Sequence, residues 1–192
     1  MPGPTAKKIQ ITIDDAPGPS NGAMRALLAS VRVKTMFFVE GEFVKKRPTD
    51  LAAIVRDGHR LGLHTWDHPQ LTKMSDDKIK EEFLTTDALV QQITGKSMAP
   101  HWRPPYGAVD KRVRDIATGL GFTKLWLWDV DSLDWKHLGN SQAIINEVEG
   151  GLARSRAQVA DILFHDKMTT VAALKLLLPR LKAKGFTLVD FP

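Results

Sequence analysis

Short apolar runs rich in β-branched residues alternate along this chain with longer stretches whose apolar positions recur every three or four residues. The first kind reads as buried strand, the second as a helix packed by one face. Residues 9–13 predict a strand and 21–31 the helix after it. A second strand is expected at 35–39, a helix at 49–57 ended by Gly58, and a short strand at 60–63. The longest helix should span 75–93, with Ser75 as N-cap, Asp76 and Asp77 in its first turn and Gly95 beyond its end. Residues 102–103 close a brief strand and 110–119 form a helix. A strand at 122–128, a helix at 141–152, a buried strand at 160–164, an amphipathic helix at 171–184 and a strand at 186–189 complete the pattern.

Such a run of β-then-α units points to parallel strands with helices packed outside them. No linker, repeat or low-complexity tract interrupts it, so residues 9–192 read as a single domain after a flexible leader at 1–8. At 192 residues that domain can bury a full core without covalent staples.

Polar islands follow several of the apolar runs. Asp14-Asp15, His64, Arg103, Asp129 with Asp131, and His165 each fall where a predicted strand ends. In a closed or distorted (β/α) barrel, such ends form one rim around one mouth, where active sites sit. An open doubly wound sheet would gather only those beside its switch point. The common placement favours the barrel.

Composition narrows the chemistry. The chain has no cysteine, so any metal must be held by His, Asp or Glu. No apolar run approaches the ~18 residues of a membrane span, and no signal-peptide core is visible at the N-terminus. The net charge of +5 suits an anionic polymer such as a cell-wall surface, but the lysines are scattered and no nucleic-acid motif accompanies them, so the plainer reading is a solvated surface.

Two adjacent carboxylates, two histidines four residues apart, an arginine, a buried-looking aspartate and a lone histidine are the parts of a mononuclear metal hydrolase with separate base and acid. Adjacent carboxylates both stay ionised only with a cation nearby. His64 and His68 would share a face if Thr65–His68 formed a helical turn. Each island alone has a plainer reading. Asp14-Asp15 could begin a turn at Pro17-Gly18-Pro19, Arg103 could cap a proline turn, and His165 could be a core histidine. Trp126 and Trp128 suit a core as well as a sugar-stacking role, while His59, His101 and His137 fit no pattern.

In their order, however, the islands resemble the motifs of the NodB-homology polysaccharide deacetylases, the family 4 carbohydrate esterases. The segments are Thr12-Ile13-Asp14-Asp15, His64-Thr65-Trp66-Asp67-His68, Arg103-Pro104-Pro105-Tyr106-Gly107, Asp131-Ser132-Leu133-Asp134-Trp135 and Leu163-Phe164-His165. Ile13 and Ala16 stand where the family usually has Phe and Gly.

The resemblance implies a distorted (β/α) barrel of NodB-homology type. It implies Asp15, His64 and His68 as ligands of one divalent metal, zinc first, with cobalt or another first-row ion as alternatives. Asp14 becomes the general base and Arg103 the residue that orients it. The Tyr106 N–H enters the oxyanion hole. His165 becomes the general acid, with Asp131 as the partner that raises its basicity; Asp129 breaks the motif's spacing. Trp135 and Leu163 line the substrate pocket, Leu163 beside the acetyl methyl.

The implied reaction is hydrolysis of N-acetyl groups on an N-acetylglucosamine polymer: chitin, chitooligosaccharides or peptidoglycan. Acetylated xylan is the alternative substrate, and a non-catalytic carbohydrate-binding relative or a cyclic-amide hydrolase the alternative class. The expected partner is an acetylated polysaccharide, with no nucleic acid and no membrane span. The expected state is a monomer, secreted or in the cell envelope, although the composition also suits the cytoplasm.

Overall fold

The computed structural model describes residues 8–191. In chain order the elements are β1 (Lys8–Ala16), α1 (Asn21–Ser30), β2 (Met36–Val39), α2 (Gly41–Lys46), α3 (Pro48–Arg56), β3 (Arg60–Leu63), α4 (Asp76–Thr94) and β4 (His101–Trp102). They continue with α5 (Lys111–Gly119), β5 (Lys124–Leu125), β6 (Val130–Asp131), α6 (Ser141–Arg154), β7 (Val159–His165), α7 (Met168–Ala183) and β8 (Thr187–Leu188). Single 3-10 turns occur at Leu71–Lys73 and Pro105–Gly107. Of the expected leader, residues 1–7 lie outside the described residues, and Lys8 already belongs to β1.

Where the sequence suggests one domain, the described chain divides into two compact units. One holds residues 8–14, 18–36 and 128–191, the other residues 15–17 and 37–127. In the first, β1 lies between β7 and β8, and β6 adds to the far side of β7, all in parallel register. β1 is buried along nearly its whole length rather than on alternate residues, as a strand covered on both faces must be. Its buried polar side chains are matched: Thr12 Oγ1 donates to Asp161 Oδ1 at 2.7 Å and Gln10 Nε2 to Asp161 Oδ2 at 3.3 Å. Helices α1 and α6 both pack on α7, with Met24, Leu28, Ile145, Val148, Leu174 and Leu177 turned inward at helical spacing.

The second unit carries the strand path β5-β4-β3-β2. Helix α4 packs on α2, α3, α5 and β3. Its ends follow the sequence expectation: the Ser75 hydroxyl accepts from Lys78 N–H, and Gly95 closes the helix in the left-handed conformation at φ 74°. Phe83 from this helix meets Trp102 and Phe122 edge-on at centroid distances of 5.3 and 5.2 Å. Burying an aromatic side chain of this kind stabilises by about 1.5–3 kcal/mol.

The strand expected at 122–128 shrinks to β5. The Trp126 N–H still reaches Trp102 O, but the Trp126 and Leu127 carbonyls turn to the Arg103 side chain instead of a neighbouring strand. Helix α2 and strand β6 were not expected, because elements of six and two residues carry no readable period. Among the described residues, no helix is long and apolar enough to cross a membrane.

Candidate active site

Asp15, His64 and His68 form one cluster in the second unit. Each offers a ligand atom, and the three atoms lie within 4.8 Å of one another. Asp15 Oδ1 is 3.8 Å from both imidazole Nε2 atoms. That is too long for hydrogen bonds, and near the ~3.4 Å that separates ligand atoms each about 2.1 Å from one tetrahedral ion. His64 Nδ1 lies 2.7 Å from the Arg103 carbonyl. A carbonyl only accepts, so Nδ1 carries the hydrogen and Nε2 presents its lone pair to the cluster. The donor set and its spacing fit a divalent ion.

The histidines do not meet through a helical turn. The segment after β3 is an irregular bend in which Thr65 and His68 adopt φ 70° and 62°. The rings approach to 5.0 Å between centroids at 65°. Asp15 at φ 57° and Tyr106 at φ 61° are left-handed too. For non-glycine residues this conformation costs about 1–2 kcal/mol each, so backbone strain is concentrated in this cluster and the turn beside it. Ala16, which stands where the family usually has glycine, keeps negative φ and is fully buried in β1. The left-handed residue of this segment is Asp15, and a methyl group at position 16 is accommodated.

Arg103 follows β4, where its N–H continues the ladder to Leu63 O at 2.9 Å. Its side chain is wholly buried. The guanidinium lies 4.2 Å from the Phe38 ring centroid, and Nη2 donates to Leu127 O at 3.0 Å. Tyr106 is 67% exposed, and its ring meets His68 edge-on at 4.6 Å.

In the first unit, Asp14 ends its part of β1, almost fully buried and opposite His165 in register. The chain then passes by one peptide bond to Asp15. The partner of His165 is Asp134, not Asp131. His165 Nδ1 lies 2.6 Å from Asp134 Oδ1, and the His165 backbone N–H donates to Asp134 Oδ2 at 2.8 Å. Thr170, buried at the start of α7, adds a hydroxyl donor to the same oxygen. Burial alone would raise the Asp134 carboxyl, but the hydrogen bond and charge of His165, helped by Thr170, hold it below its ordinary value.

Asp131 instead accepts from Leu133 N–H at 2.8 Å, folding onto its own turn. Leu133, left-handed at φ 50°, redirects the chain so that Asp134 reaches His165. Asp129, the other alternative, accepts from Asp161 N–H near the opposite end of β7. Leu163 shares a strand face with His165, two residues away, and is buried; Trp135 is 51% exposed.

Several buried carboxylates in the two units carry no motif signal. Glu82 of α4 accepts from Trp66 N–H at 2.7 Å, and burial raises its carboxyl, with Asp67 adding to the rise. Burial, followed by the Asp15 carboxylate, pushes Glu40 up to about 7. Asp166, next to His165, accepts from Gly18 N–H at 2.8 Å and Asn21 Nδ2 at 3.0 Å, pinning the loop that leaves β1. The only signal for these groups is a buried carboxylate in an otherwise apolar helix face or strand end.

Comparison with known proteins adds the following. Residues 2–125 match the family model described as polysaccharide deacetylase. The chain is 36% identical over 189 residues to a peptidoglycan-N-acetylglucosamine deacetylase of Listeria monocytogenes, covering 96% of this chain and 38% of that protein. It is 39% identical over 133 residues to chitin deacetylase 1 of Saccharomyces cerevisiae, covering 69% and 42%. To a chitooligosaccharide deacetylase of Azorhizobium caulinodans it is 30% identical over 200 residues, covering 96% and 92%. It thus spans less than half the length of the first two.

Among solved structures, a peptidoglycan N-acetylglucosamine deacetylase in complex with a naphthyl N-hydroxybenzamide superposes with a TM-score of 0.85 at 29% identity, over 99% of this chain and 89% of that one. A family 4 carbohydrate esterase from Streptomyces lividans in complex with acetate gives 0.83 at 26%, over 96% and 92%. A pseudoenzyme of that family from Bacillus anthracis gives 0.86 at 25%, over 98% and 65%. The distorted (β/α) barrel expected from the sequence is the fold these likenesses carry.

Proposed function

This chain belongs to the polysaccharide deacetylase family, and we propose that it is a metal-dependent enzyme hydrolysing N-acetyl groups of an N-acetylglucosamine polymer. The observation that carries the reading is the pair of consecutive carboxylates in β1. Asp15 belongs to a three-residue cluster built to hold a cation, and Asp14 lies in register with a carboxylate-paired histidine. The named activities of the similar proteins, on peptidoglycan, chitin and chitooligosaccharides, support an amide substrate over acetylated xylan.

Asp15, His64 and His68 are the residues that would hold the ion, and an oxygen-and-imidazole set without thiolate suits zinc, then cobalt. When bound, a divalent ion there supplies Lewis acidity that lowers the pKa of a water and polarises the acetyl carbonyl. Asp14 takes the proton of the attacking water, with Arg103 as the cation assigned to orient it. The Tyr106 N–H donates to the oxygen of the tetrahedral intermediate.

The amine leaves only when protonated. His165 gives that proton from Nε2, because Nδ1 is committed to Asp134. Asp134 stabilises the imidazolium form that must precede the transfer. The C–N bond breaks, and acetate and a free amine result. Leu163 packs against the acetyl methyl, and the exposed ring of Trp135 offers a face to a sugar. The enzyme acts as a monomer on wall or chitin polymers, outside the cytoplasm.

The test is acetate release from chitin oligomers by zinc- or cobalt-reconstituted protein, with peptidoglycan and acetylated xylan in parallel and a chelated control. Chelator-sensitive release, faster from the oligomers, is the expected result. Metal-loaded protein that releases no acetate from chitin, peptidoglycan or xylan would show a binding protein instead.

A further inference from the structure

The bend that carries the two histidines is gripped from two sides by elements that have no ligand of their own. On one side stands the start of α2. Gly41 N–H donates to Thr65 O at 3.0 Å and Glu42 N–H to Trp66 O at 2.9 Å. Gly41 is needed for this approach: a Cβ there would lie 2.3 Å from a carbon of the Trp66 ring. On the other side is Glu82, which accepts the Trp66 N–H at 2.7 Å and has Asp67 against it as well. The Thr65–Trp66 peptide unit is thus held through both its carbonyl and its N–H, and the Trp66 carbonyl is held as well, between left-handed Thr65 and left-handed His68.

A carboxylate buried to 9% exposure in the middle of a helix is costly unless it has a fixed task. Its hydrogen bond to a backbone N–H is of the charge-assisted, stronger kind. Without it, the strained bend would relax toward commoner backbone angles, and the two imidazole Nε2 atoms would no longer share a position with Asp15. We propose that Glu82 is a positioning residue for the metal site: it locks the Thr65–His68 bend from α4, so that the affinity and geometry of the Asp15–His64–His68 cluster depend on it. The inference rests on the reading of that cluster as a metal site.

The experiment uses the whole chain and two probes, zinc affinity by competition with a chromophoric chelator and the visible spectrum of the cobalt-loaded protein. Neither depends on turnover. Glu82→Ala should weaken zinc binding by about tenfold or more, the usual effect of losing a group that orients a metal ligand, and should alter the cobalt bands. Glu82→Gln keeps a carbonyl oxygen for the Trp66 N–H and should recover most of the affinity. Should the alanine variant not fold, Glu82→Met fills the same space without an acceptor for that N–H and should lose affinity in the same way.

Asp87→Asn serves as the comparison. Asp87 is a buried carboxylate of the same helix that accepts from Met98 N–H at 2.7 Å and holds a different loop, so it should lower the melting temperature and leave affinity and spectrum unchanged. Zinc affinity equal to wild type in Glu82→Ala or Glu82→Met, or a loss no larger than that of Asp87→Asn, overturns the inference alone. A wild-type chain that binds no zinc, or a His64→Ala variant that binds it undiminished, overturns the metal reading and this inference with it.

Discussion

His165 and Asp134 are joined twice: by a 2.6 Å contact between Nδ1 and Oδ1 and by a backbone N–H that reaches the other carboxylate oxygen at 2.8 Å. Such a two-point grip fixes both the ring's tautomer and its direction. Asp134→Asn should therefore cut kcat on N-acetyl substrates by about 10²–10⁴-fold, the range for losing a general acid. Asp131→Asn, which disturbs only a local turn, should stay close to wild type. A greater loss at Asp131 than at Asp134 would reverse the assignment.

The leaving group gives a second handle on the same histidine. An alkoxide departs with far less help than an amine, so His165→Ala should lose much more rate on chitin oligomers than on acetylated xylan or a small acetyl ester. Equal losses on amide and ester would remove His165 from the role of acid.

Asp14 should be separable from the metal cluster. Asp14→Asn should lower turnover by at least about 10²-fold while the protein still binds one zinc with near wild-type affinity. Asp15→Asn should lose both. Activity retained in Asp14→Asn would refute its role as base.

Metal removal should expose a pH dependence of stability. Burial and then the Asp15 carboxylate raise Glu40 from 4.5 to about 7. Across that window the folded chain holds a proton that the unfolded chain has released. The associated stability is present below 4.5 and is lost as pH rises through about 7. Melting temperatures of chelated wild type should fall with pH through this range more steeply than those of Glu40→Gln. Zinc, by offsetting the Asp15 charge, should flatten the curve. Parallel profiles for the two chelated proteins would contradict the account.

The longer elements were legible because their periods were long enough to count: α4 with its Ser75 cap and Gly95 stop, and β7 within one or two residues. The aromatic run at 122–128 misled, since Trp126 and Leu127 suit a strand by composition but spend their carbonyls on Arg103. Spacing brought Asp15, His64 and His68 to notice, yet it suggested a helical turn where the chain makes a strained bend. The resemblance assigned Asp131 of Asp131-Ser132-Leu133-Asp134 as the partner of His165, where the structure has Asp134. Asp131 folds onto its own turn and Asp134 faces His165 across a turn in which Leu133 is left-handed, and residue types alone do not encode that conformation. Glu40 and Glu82 show in the sequence only as carboxylates among apolar positions, and their tasks could not be read because their neighbours are distant in sequence and supplied by folding.

The two consecutive carboxylates of β1 also make this strand indivisible for recombination. Chimeras between relatives can exchange α6, which packs on α7 and β6 and carries none of the proposed site residues. A crossover inside residues 9–16 would instead join the proposed base from one parent to the proposed metal ligand from another, across a single peptide bond whose second residue is left-handed. Inheritance of the strand as one block, together with the β7 segment in register with it, is therefore the rule for building active hybrids on this scaffold.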